Sequence, residues 1–278
     1  MIMALTSCRD IVYMHITLFQ DSYSAFVPGG KYMADKPVGM VLGSFVADSL
    51  ALGAHWIFST ERIMRQFGRI EDLIKPNNNS YHKTKDRGEF TNYGDQAFVL
   101  LESLAVCRAF DIFDFSTRWQ ELFDDYRGYI DQPTRETLKN IAQGKGPLES
   151  GSSSNELSGA ARIAPLVYCL REDQDYLADA SRQQTAMTHG NALAFEASEF
   201  FARVCYLVLK GATPTEAIWQ TNGEFFADTR ISTWVKEGFA SLGKESIEVI
   251  TGFGQNGHVN EAFPGVIHLI MKYENNFK

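Results

Sequence analysis

Residues 192–209 read ALAFEASEFFARVCYLVL, a run rich in alanine, phenylalanine and leucine. A run of this length and composition predicts a long buried helix. A second helix is predicted over residues 94–110, where apolar residues recur at the i, i+3 and i+4 spacing of an amphipathic helix. The residues that follow this spacing are Ala97, Leu100, Leu101, Leu104 and Ala105.

Further helix signals lie on both sides of this pair. Thr213, Pro214 and Glu216 stand in the order of an N-cap, a first and a third helical residue, which predicts a helix start. Residues 38–52 and 261–272 also show a helical pattern. No clear segment alternates apolar and polar residues as a half-buried strand does. The sequence therefore predicts an all-α bundle of many helices.

The chain shows no internal repeat and no clear domain boundary. Two polar stretches, 76–89 and the Gly/Ser-rich 144–158, are predicted to be loops. Because the motifs on either side of the second loop need each other, residues 37–278 are predicted to form one domain. Residues 1–36 lack the pattern of a signal peptide or presequence, and they are predicted to be a poorly ordered extension.

Composition excludes several classes of protein. The chain has 278 residues, 45% hydrophobic and 22% charged, with a formal net charge of -8. An acidic surface without a run of Lys or Arg repels phosphates, so nucleic-acid binding is not expected. No apolar run reaches the roughly 18 residues that cross a membrane. Cys8, Cys107, Cys169 and Cys205 form no CxxC pair, which favours buried reduced thiols and a cytoplasmic location.

Three polar or aromatic residues follow one another closely near the first predicted helix. Asp48 lies in the small and apolar stretch GSFVADSLALG, where a carboxylate is costly unless it is paired or faces a cleft. His55 and Trp56 follow, and their rings could line a pocket. Each residue also has an ordinary interpretation: an aspartate on a helix surface, or a hydrogen-bonded histidine in the core.

A second group of polar residues begins the helix predicted from residue 94. Asp95 follows Tyr93 and precedes Gln96, so its carboxylate and the free N–H groups of the first turn could face an anion or a metal. The alternative is that Asp95 is only the N-cap of the helix.

Three further motifs contain a cation or an imidazole. Arg162 stands among small residues in SGAARIAP, and we interpret it as a core anchor. Thr188 is a candidate N-cap for the long helix, and the adjacent His189 is either functional or structural. Residues 252–264 read GFGQNGHVNEAFP, a glycine-rich turn that contains Asn256 and His258. This turn is not a P-loop, because the terminal GK[ST] is absent.

Taken in order, these motifs resemble the ADP-ribosylglycohydrolase family, which also contains some lens crystallins. The family opens with Gly-x-x-x-Gly-Asp-Ala-Leu-Gly, and residues 43–51 here read GSFVADSLA. Its small residues followed by Met-Arg-Ile-Ala-Pro-Leu resemble SGAARIAPL at 158–166, with Ala161 in place of the methionine. Its Thr-His before an Ala-rich helix matches residues 188–189. The resemblance implies a single-domain, all-α orthogonal bundle.

The resemblance also implies two Mg²⁺ ions that hold the ribose of an ADP-ribosyl group and position water. The family motif Thr-Asp-Asp-Thr aligns with residues 93–96, where only Asp95 is kept. Its Gly-Asp-x-Asp-Thr aligns with residues 255–259, where Asn256 and His258 replace both acids. One carboxylate does not balance two Mg²⁺ charges, and imidazole is a poor Mg²⁺ ligand. The sequence therefore predicts weak or absent Mg²⁺ binding, with Asp95 as the remaining metal ligand.

Three functions stay open at this point. The first is a divergent hydrolase of an ADP-ribosyl or related glycosidic bond, with Asp95 or a histidine as general base. The second is a non-catalytic member that binds a nucleotide-like ligand or has a crystallin-like structural role. The third is a transition-metal site built from His55, His258 and Asp95. For the hydrolase, the predicted catalytic residues are Asp48, His55 and Asp95. The predicted substrate-binding residues are Trp56, Tyr93, Gln96, His189, Asn256 and His258.

Overall fold

The computed structural model describes residues 36–276, and these residues form twelve α-helices and no β-strand. A 3₁₀ turn (Leu157–Arg162) and a π turn (Asn222–Phe226) complete the regular structure. The helices are α1 (Lys36–Ala51), α2 (Thr60–Phe67), α3 (Asn92–Cys107), α4 (Ile112–Asp124), α5 (Gln132–Ala142), α6 (Ala164–Leu170), α7 (Gln174–Ala186), α8 (Ala192–Lys210), α9 (Pro214–Thr221), α10 (Arg230–Ala240), α11 (Ser246–Phe253) and α12 (Val259–Tyr273). The predicted all-α fold is confirmed.

Helix α8 is the long buried helix that the opening stretch predicts, and it lies between two hydrophobic cores. Ala202 belongs to the core that α8 shares with α3, α4, α6 and α7. Ala197, Phe200 and Val204 belong to the core that it shares with α9, α10 and α12. A helix that packs against neighbours on two faces needs apolar residues on both, which explains the composition of this run.

Helix α3 begins two residues before the predicted start, because Thr91 caps it rather than Asp95. The Thr91 hydroxyl accepts hydrogen bonds from the N–H groups of Tyr93 and Gly94, at 3.1 and 3.5 Å. Capping by a threonine side chain frees the carboxylate of Asp95 for other contacts. At α9 the predicted start is confirmed, and Thr213 and Glu216 form a reciprocal capping box there.

The prediction that Thr188 caps α8 is wrong. The cap is Asn191, whose side-chain oxygen accepts the N–H of Leu193 at 3.0 Å. Thr188 lies earlier in the chain, where its hydroxyl hydrogen-bonds to Arg162 and to the ring of His189. Both residue types are good caps, so the sequence pattern alone did not separate them.

The cysteines depart in part from the prediction. Cys107, Cys169 and Cys205 are free thiols, but Cys169 is exposed and the other two are only half-buried. Cys8 lies outside the described residues, as does the predicted extension 1–36 except for Lys36, which begins α1. Among the helices of residues 36–276, none has the length and apolar character needed to cross a bilayer.

Arg162 is buried, as its interpretation as a core anchor requires, and its partners are neutral. Its guanidinium donates to the side-chain oxygens of Gln184 (2.7 Å) and Gln96 (3.0 Å) and to the main-chain oxygen of Gln184 (2.9 Å). It also donates to the Thr188 hydroxyl. Burial lowers the pKa of Arg162 to about 10, while Asp131 opposes that shift. These bonds join the 3₁₀ turn to α3 and α7.

We expect Arg162→Lys to lower the free energy of unfolding by about 3 kcal/mol. Lysine keeps the charge but loses the planar fork of donors, and buried acceptors are left unpaired. Urea denaturation measures the effect, with Arg182→Lys as the matched control. Arg182 pairs with Glu199 at 2.8 Å but its side chain is 41% exposed, so its loss should stay below about 1 kcal/mol. Equal losses in both variants would contradict the anchoring role.

Candidate functional site

A cleft of about 850 Å³ lies where the start of α3, the 3₁₀ turn and the glycine-rich turn before α12 meet. Its wall contains five of the predicted site residues: His55, Trp56, Tyr93, Asn256 and His258. The other predicted site residues do not line it. Those residues are Asp48, Asp95, Gln96 and His189.

Asp48 is attached to the capped start of α3. Its carboxylate accepts hydrogen bonds from the N–H and the hydroxyl of Thr91, at 2.8 and 2.6 Å. Gly94 allows this close approach, since a Cβ there would stand 2.2 Å from a carboxylate oxygen of Asp48. Burial raises the pKa of Asp48, the bonds from Thr91 lower it, and the nearby Asp95 raises it again. Both oxygens of Asp48 therefore already have protein donors.

Asp95 is held by a cation from the protein itself. The ammonium of Lys85 lies 2.6 Å from Asp95 Oδ2, and the hydroxyl of Tyr126 donates to the same oxygen at 2.6 Å. The side chains of Lys85 and Asp95 are each only 10% exposed. Because Lys85 comes from the loop at 76–89, helical periodicity and motif spacing did not identify it.

The residues present do not fit the pair of Mg²⁺ ions that the resemblance implies. Within residues 36–276, no group of three or more His, Cys, Asp or Glu side chains is placed to hold a metal ion. Mg²⁺ needs near-octahedral coordination by oxygen. Asp48 is bonded to Thr91, and the ammonium of Lys85 occupies the approach to Asp95 Oδ2. The three-residue transition-metal site considered from the sequence is likewise not assembled among the described residues.

His55 is paired with a histidine that the sequence analysis did not single out. His55 Nδ1 lies 2.7 Å from Nε2 of His82, and His82 is fully buried. Burial lowers the pKa of His55 to about 3, and the neighbouring His82 adds to this shift. Burial, with a smaller effect from Lys85, lowers the pKa of His82 to about 4. Both imidazoles are therefore neutral near pH 7.

The proton positions in this pair follow from what surrounds His82. Its Nδ1 is buried and finds no partner within residues 36–276. A buried donor without an acceptor is rarer than an unpaired acceptor, so we assign the His82 proton to Nε2, which donates to His55 Nδ1. His55 then carries its proton on Nε2. With this assignment, His55 is a hydrogen-bond donor in the cleft wall.

Aromatic rings form one side of the cleft. The rings of Trp56, Tyr81 and Tyr129 pack edge to face, with centroids 4.9 to 5.2 Å apart. Trp56 has a φ of 63°, a left-handed conformation that costs free energy for a bulky residue. The packing of its ring against two tyrosines offsets that cost. An aromatic wall of this kind suits a flat, partly apolar group.

Glu156 is a cleft carboxylate that the sequence analysis missed. The backbone around it is joined to the glycine-rich turn, because the N–H of Leu157 donates to Gly257 O at 2.7 Å. The pKa of Glu156 is raised first by burial and then by Asp131, while His258 lowers it. No ion pair to Glu156 occurs within the described part of the chain. Its place inside the Gly/Ser-rich loop, two residues before SGAAR, was the available signal.

The glycine-rich turn presents exposed polar groups to the cleft. Asn256 Oδ1 accepts the N–H of His258 at 2.9 Å, and its amide donates to Glu261 at 2.5 Å. Gly254 has a φ of 119°, and a Cβ there would clash with the carboxylate of Glu261. Gly254 therefore allows the close approach of the protein's own Glu261 side chain.

Gln96 and His189 are buried and bonded within the protein. Gln96 accepts from the indole of Trp119 at 2.8 Å and from Arg162. His189 lies between the hydroxyls of Ser158 (2.9 Å) and Thr188 (2.8 Å). Burial, with Arg162 as a second cause, lowers the pKa of His189 to about 3. His189 therefore supports Ser158 of the cleft wall, whereas Gln96 belongs to the buried network around Arg162.

Comparisons with known proteins agree with this architecture. Crystallin J1A of Tripedalia cystophora is 23% identical over 259 residues, which cover 86% of this chain and 78% of that protein. Crystallin J1B of the same organism is 21% identical over 261 residues, or 88% and 80%. A solved structure named ADP-ribosylglycohydrolase-related protein complex has a TM-score of 0.65 at 22% identity, covering 87% of this chain and 76% of that one. The sequence model described as ADP-ribosylglycohydrolase matches residues 31–278, and the chain therefore belongs to the ADP-ribosylglycohydrolase family.

Proposed function

We propose that this protein is a divergent hydrolase that cleaves an ADP-ribosyl or related glycosidic bond without a magnesium pair. The observation that carries the proposal is Glu156, a carboxyl in the cleft wall without an ion-pair partner in residues 36–276. Asp48 and Asp95 were the predicted catalytic carboxylates, but both oxygens of Asp48 accept from Thr91, and Asp95 Oδ2 accepts from Lys85 and Tyr126. We therefore move the proton-transfer role to Glu156.

The proposed reaction uses one carboxyl in two steps. Protonated Glu156 gives its proton to the leaving nitrogen or oxygen as the bond to the anomeric carbon breaks. Water then adds to the oxocarbenium-like carbon, and its proton passes to the Glu156 carboxylate. The buried negative charge of Asp131 close to Glu156 favours both the acid form of Glu156 and the cationic transition state.

The remaining predicted residues orient the substrate in this proposal. His55 Nε2–H offers a donor to a hydroxyl, carbonyl or phosphate oxygen. Trp56 and Tyr81 offer ring surface to a planar group such as a base. Asn256 and His258 are exposed on the opposite turn and supply further polar contacts. The expected substrate is a small ADP-ribosyl conjugate, and the cytoplasmic location remains a prediction from the free thiols.

A second function is favoured by one observation. The two aspartates kept from the family motifs are bonded to protein donors, as in a site that has no catalytic use for them. On this interpretation the cleft binds an ADP-ribose-like ligand without cleaving it. The similarity of this chain to two proteins named crystallins is consistent with either function.

We expect release of ADP-ribose from at least one of ADP-ribosyl-arginine, ADP-ribosyl-serine and O-acetyl-ADP-ribose, at equal rates in EDTA and in Mg²⁺. Glu156→Gln should lower this rate by about 100-fold or more, since it removes the transferable proton. Glu149→Gln, an exposed change in the same loop, should keep the full rate. Turnover that requires Mg²⁺, or that survives Glu156→Gln, would contradict the proposal.

The rate should fall as the pH rises. Burial and Asp131 raise the pKa of Glu156 above the ordinary value of 4.5, so its acid form persists to a higher pH than that of an exposed glutamate. Only this acid form protonates the leaving group, and the rate is lost as the pH rises through the raised pKa. The pH profile of kcat measures this, and in Glu156→Gln the descending limb should disappear. A rate that rises with pH would assign Glu156 the role of a base instead.

ADP-ribose should raise the melting temperature of the protein whether or not the protein is catalytic. Tyr81→Ala should weaken ADP-ribose binding by about tenfold, since stacking on an aromatic ring contributes roughly 1–3 kcal/mol. Tyr176→Ala, which removes an exposed tyrosine outside the cleft wall, is the control and should bind normally. A melting shift without turnover of any of the three conjugates favours the second function. The absence of any shift contradicts both.

A further inference from the structure

The contact between Lys85 and Asp95 depends on the loop at 76–89, whose own contacts position Lys85. The N–H of Lys85 donates to His82 O at 2.9 Å, and the His82 ring in turn lies 2.7 Å from His55. On the far side of Lys85, Asp86 pairs with Lys75 at 3.0 Å. The loop thus has contacts on both sides of Lys85, and these contacts position the Lys85 ammonium beside Asp95.

The ammonium reaches a site with two buried acids. Asp95 lies close enough to Asp48 to disfavour its ionised form, and each acid has its own set of donors. Hydroxyls of Thr91 and Tyr126 donate to the two acids, and among residues 36–276 Lys85 supplies the one full positive charge that pairs with them. A buried carboxylate is stable only when it is paired or fully hydrogen-bonded. Within residues 36–276, protein donors reach both oxygens of Asp48 and the Oδ2 oxygen of Asp95.

The position of the ammonium also decides what else can enter. Lys85 Nζ stands 2.6 Å from Asp95 Oδ2 and 5.4 Å from the centre of the Tyr126 ring. A Mg²⁺ ion bound at that oxygen would need to approach to about 2.1 Å. It would meet both the volume and the charge of the ammonium. The two cations therefore exclude each other at Asp95 Oδ2.

We propose that Lys85 is a resident cation that takes the place of a divalent metal ion at Asp95. On this proposal, Lys85 balances the charge of Asp95 without a metal ion, and removal of the ammonium exposes Asp95 to divalent cations. This inference is independent of whether the cleft is catalytic, because it concerns the charge balance behind the wall. Its readouts are stability and cation binding, and neither requires turnover.

The test compares the full-length protein with Lys85→Ala, and Lys83→Ala is the matched control because Lys83 is an exposed lysine of the same loop. In the wild type, EDTA and Mg²⁺ should give the same melting temperature, and calorimetry should detect no stoichiometric Mg²⁺ site. Lys85→Ala should melt roughly 5–10 °C lower in EDTA, since it leaves a buried charge unpaired. Mg²⁺ or Mn²⁺ should restore part of this loss saturably, whereas NaCl of equal ionic strength should not.

A double variant, Lys85→Ala with Asp95→Asn, separates charge pairing from simple packing. It should melt higher than Lys85→Ala in EDTA and should no longer respond to divalent cations. If Lys85→Ala cannot be obtained folded, folding of the double variant supports the proposal and its failure overturns it. The proposal is also overturned by a stoichiometric Mg²⁺ site in the wild type, or by a Lys85→Ala melting temperature equal to that of Lys83→Ala. A divalent response that persists in the double variant has the same consequence.

Discussion

The first turn of α3 is the constraint on which the site depends, because it gathers charges that would be unstable apart. Thr91 caps the helix and also donates to Asp48. Asp95, in the first turn of the helix, accepts from Lys85 and Tyr126. Gly94 makes the approach of Asp48 sterically possible. Every one of these contacts uses a donor of the protein. The turn therefore places two acids in the interior beside protein donors.

The same turn is connected to the centre of the bundle. Gln96 accepts from Trp119 in one core and from Arg162, whose guanidinium also binds Gln184 and Thr188. Buried polar groups of this kind are costly unless they are hydrogen-bonded. Here Trp119, Gln96, Arg162, Gln184 and Thr188 are joined to one another by hydrogen bonds. The wall of the cleft is consequently supported by a rigid polar network. A change in that network should affect stability before it affects binding.

Most of the fold followed from the sequence, whereas the site followed only in part. Helical periodicity and capping patterns are local properties, so α3, α8 and α9 were found with small errors in their ends. Lys85 and His82 escaped notice because a loop has no period and their partners are distant in the chain. Gln96 showed the opposite error, since its place beside Asp95 suggested a ligand contact but its side chain points to Trp119. A linear pattern locates a site without fixing which side chains face it.

Burial affects two titratable groups of the cleft, His55 and Glu156, in opposite directions: it lowers the pKa of the first and raises that of the second. His55 is kept neutral by burial and by His82, so it has a fixed donor and carries no charge toward the substrate. Burial and Asp131 raise the pKa of Glu156, which favours its acid form. A resident ammonium at Asp95 would weaken neither arrangement, because its charge is already balanced within the buried pair. Lys85 acts on Asp95, whereas Asp131 and His258 act on Glu156, so the proposed metal exclusion and the proposed acid catalysis rest on different charges and can be tested separately.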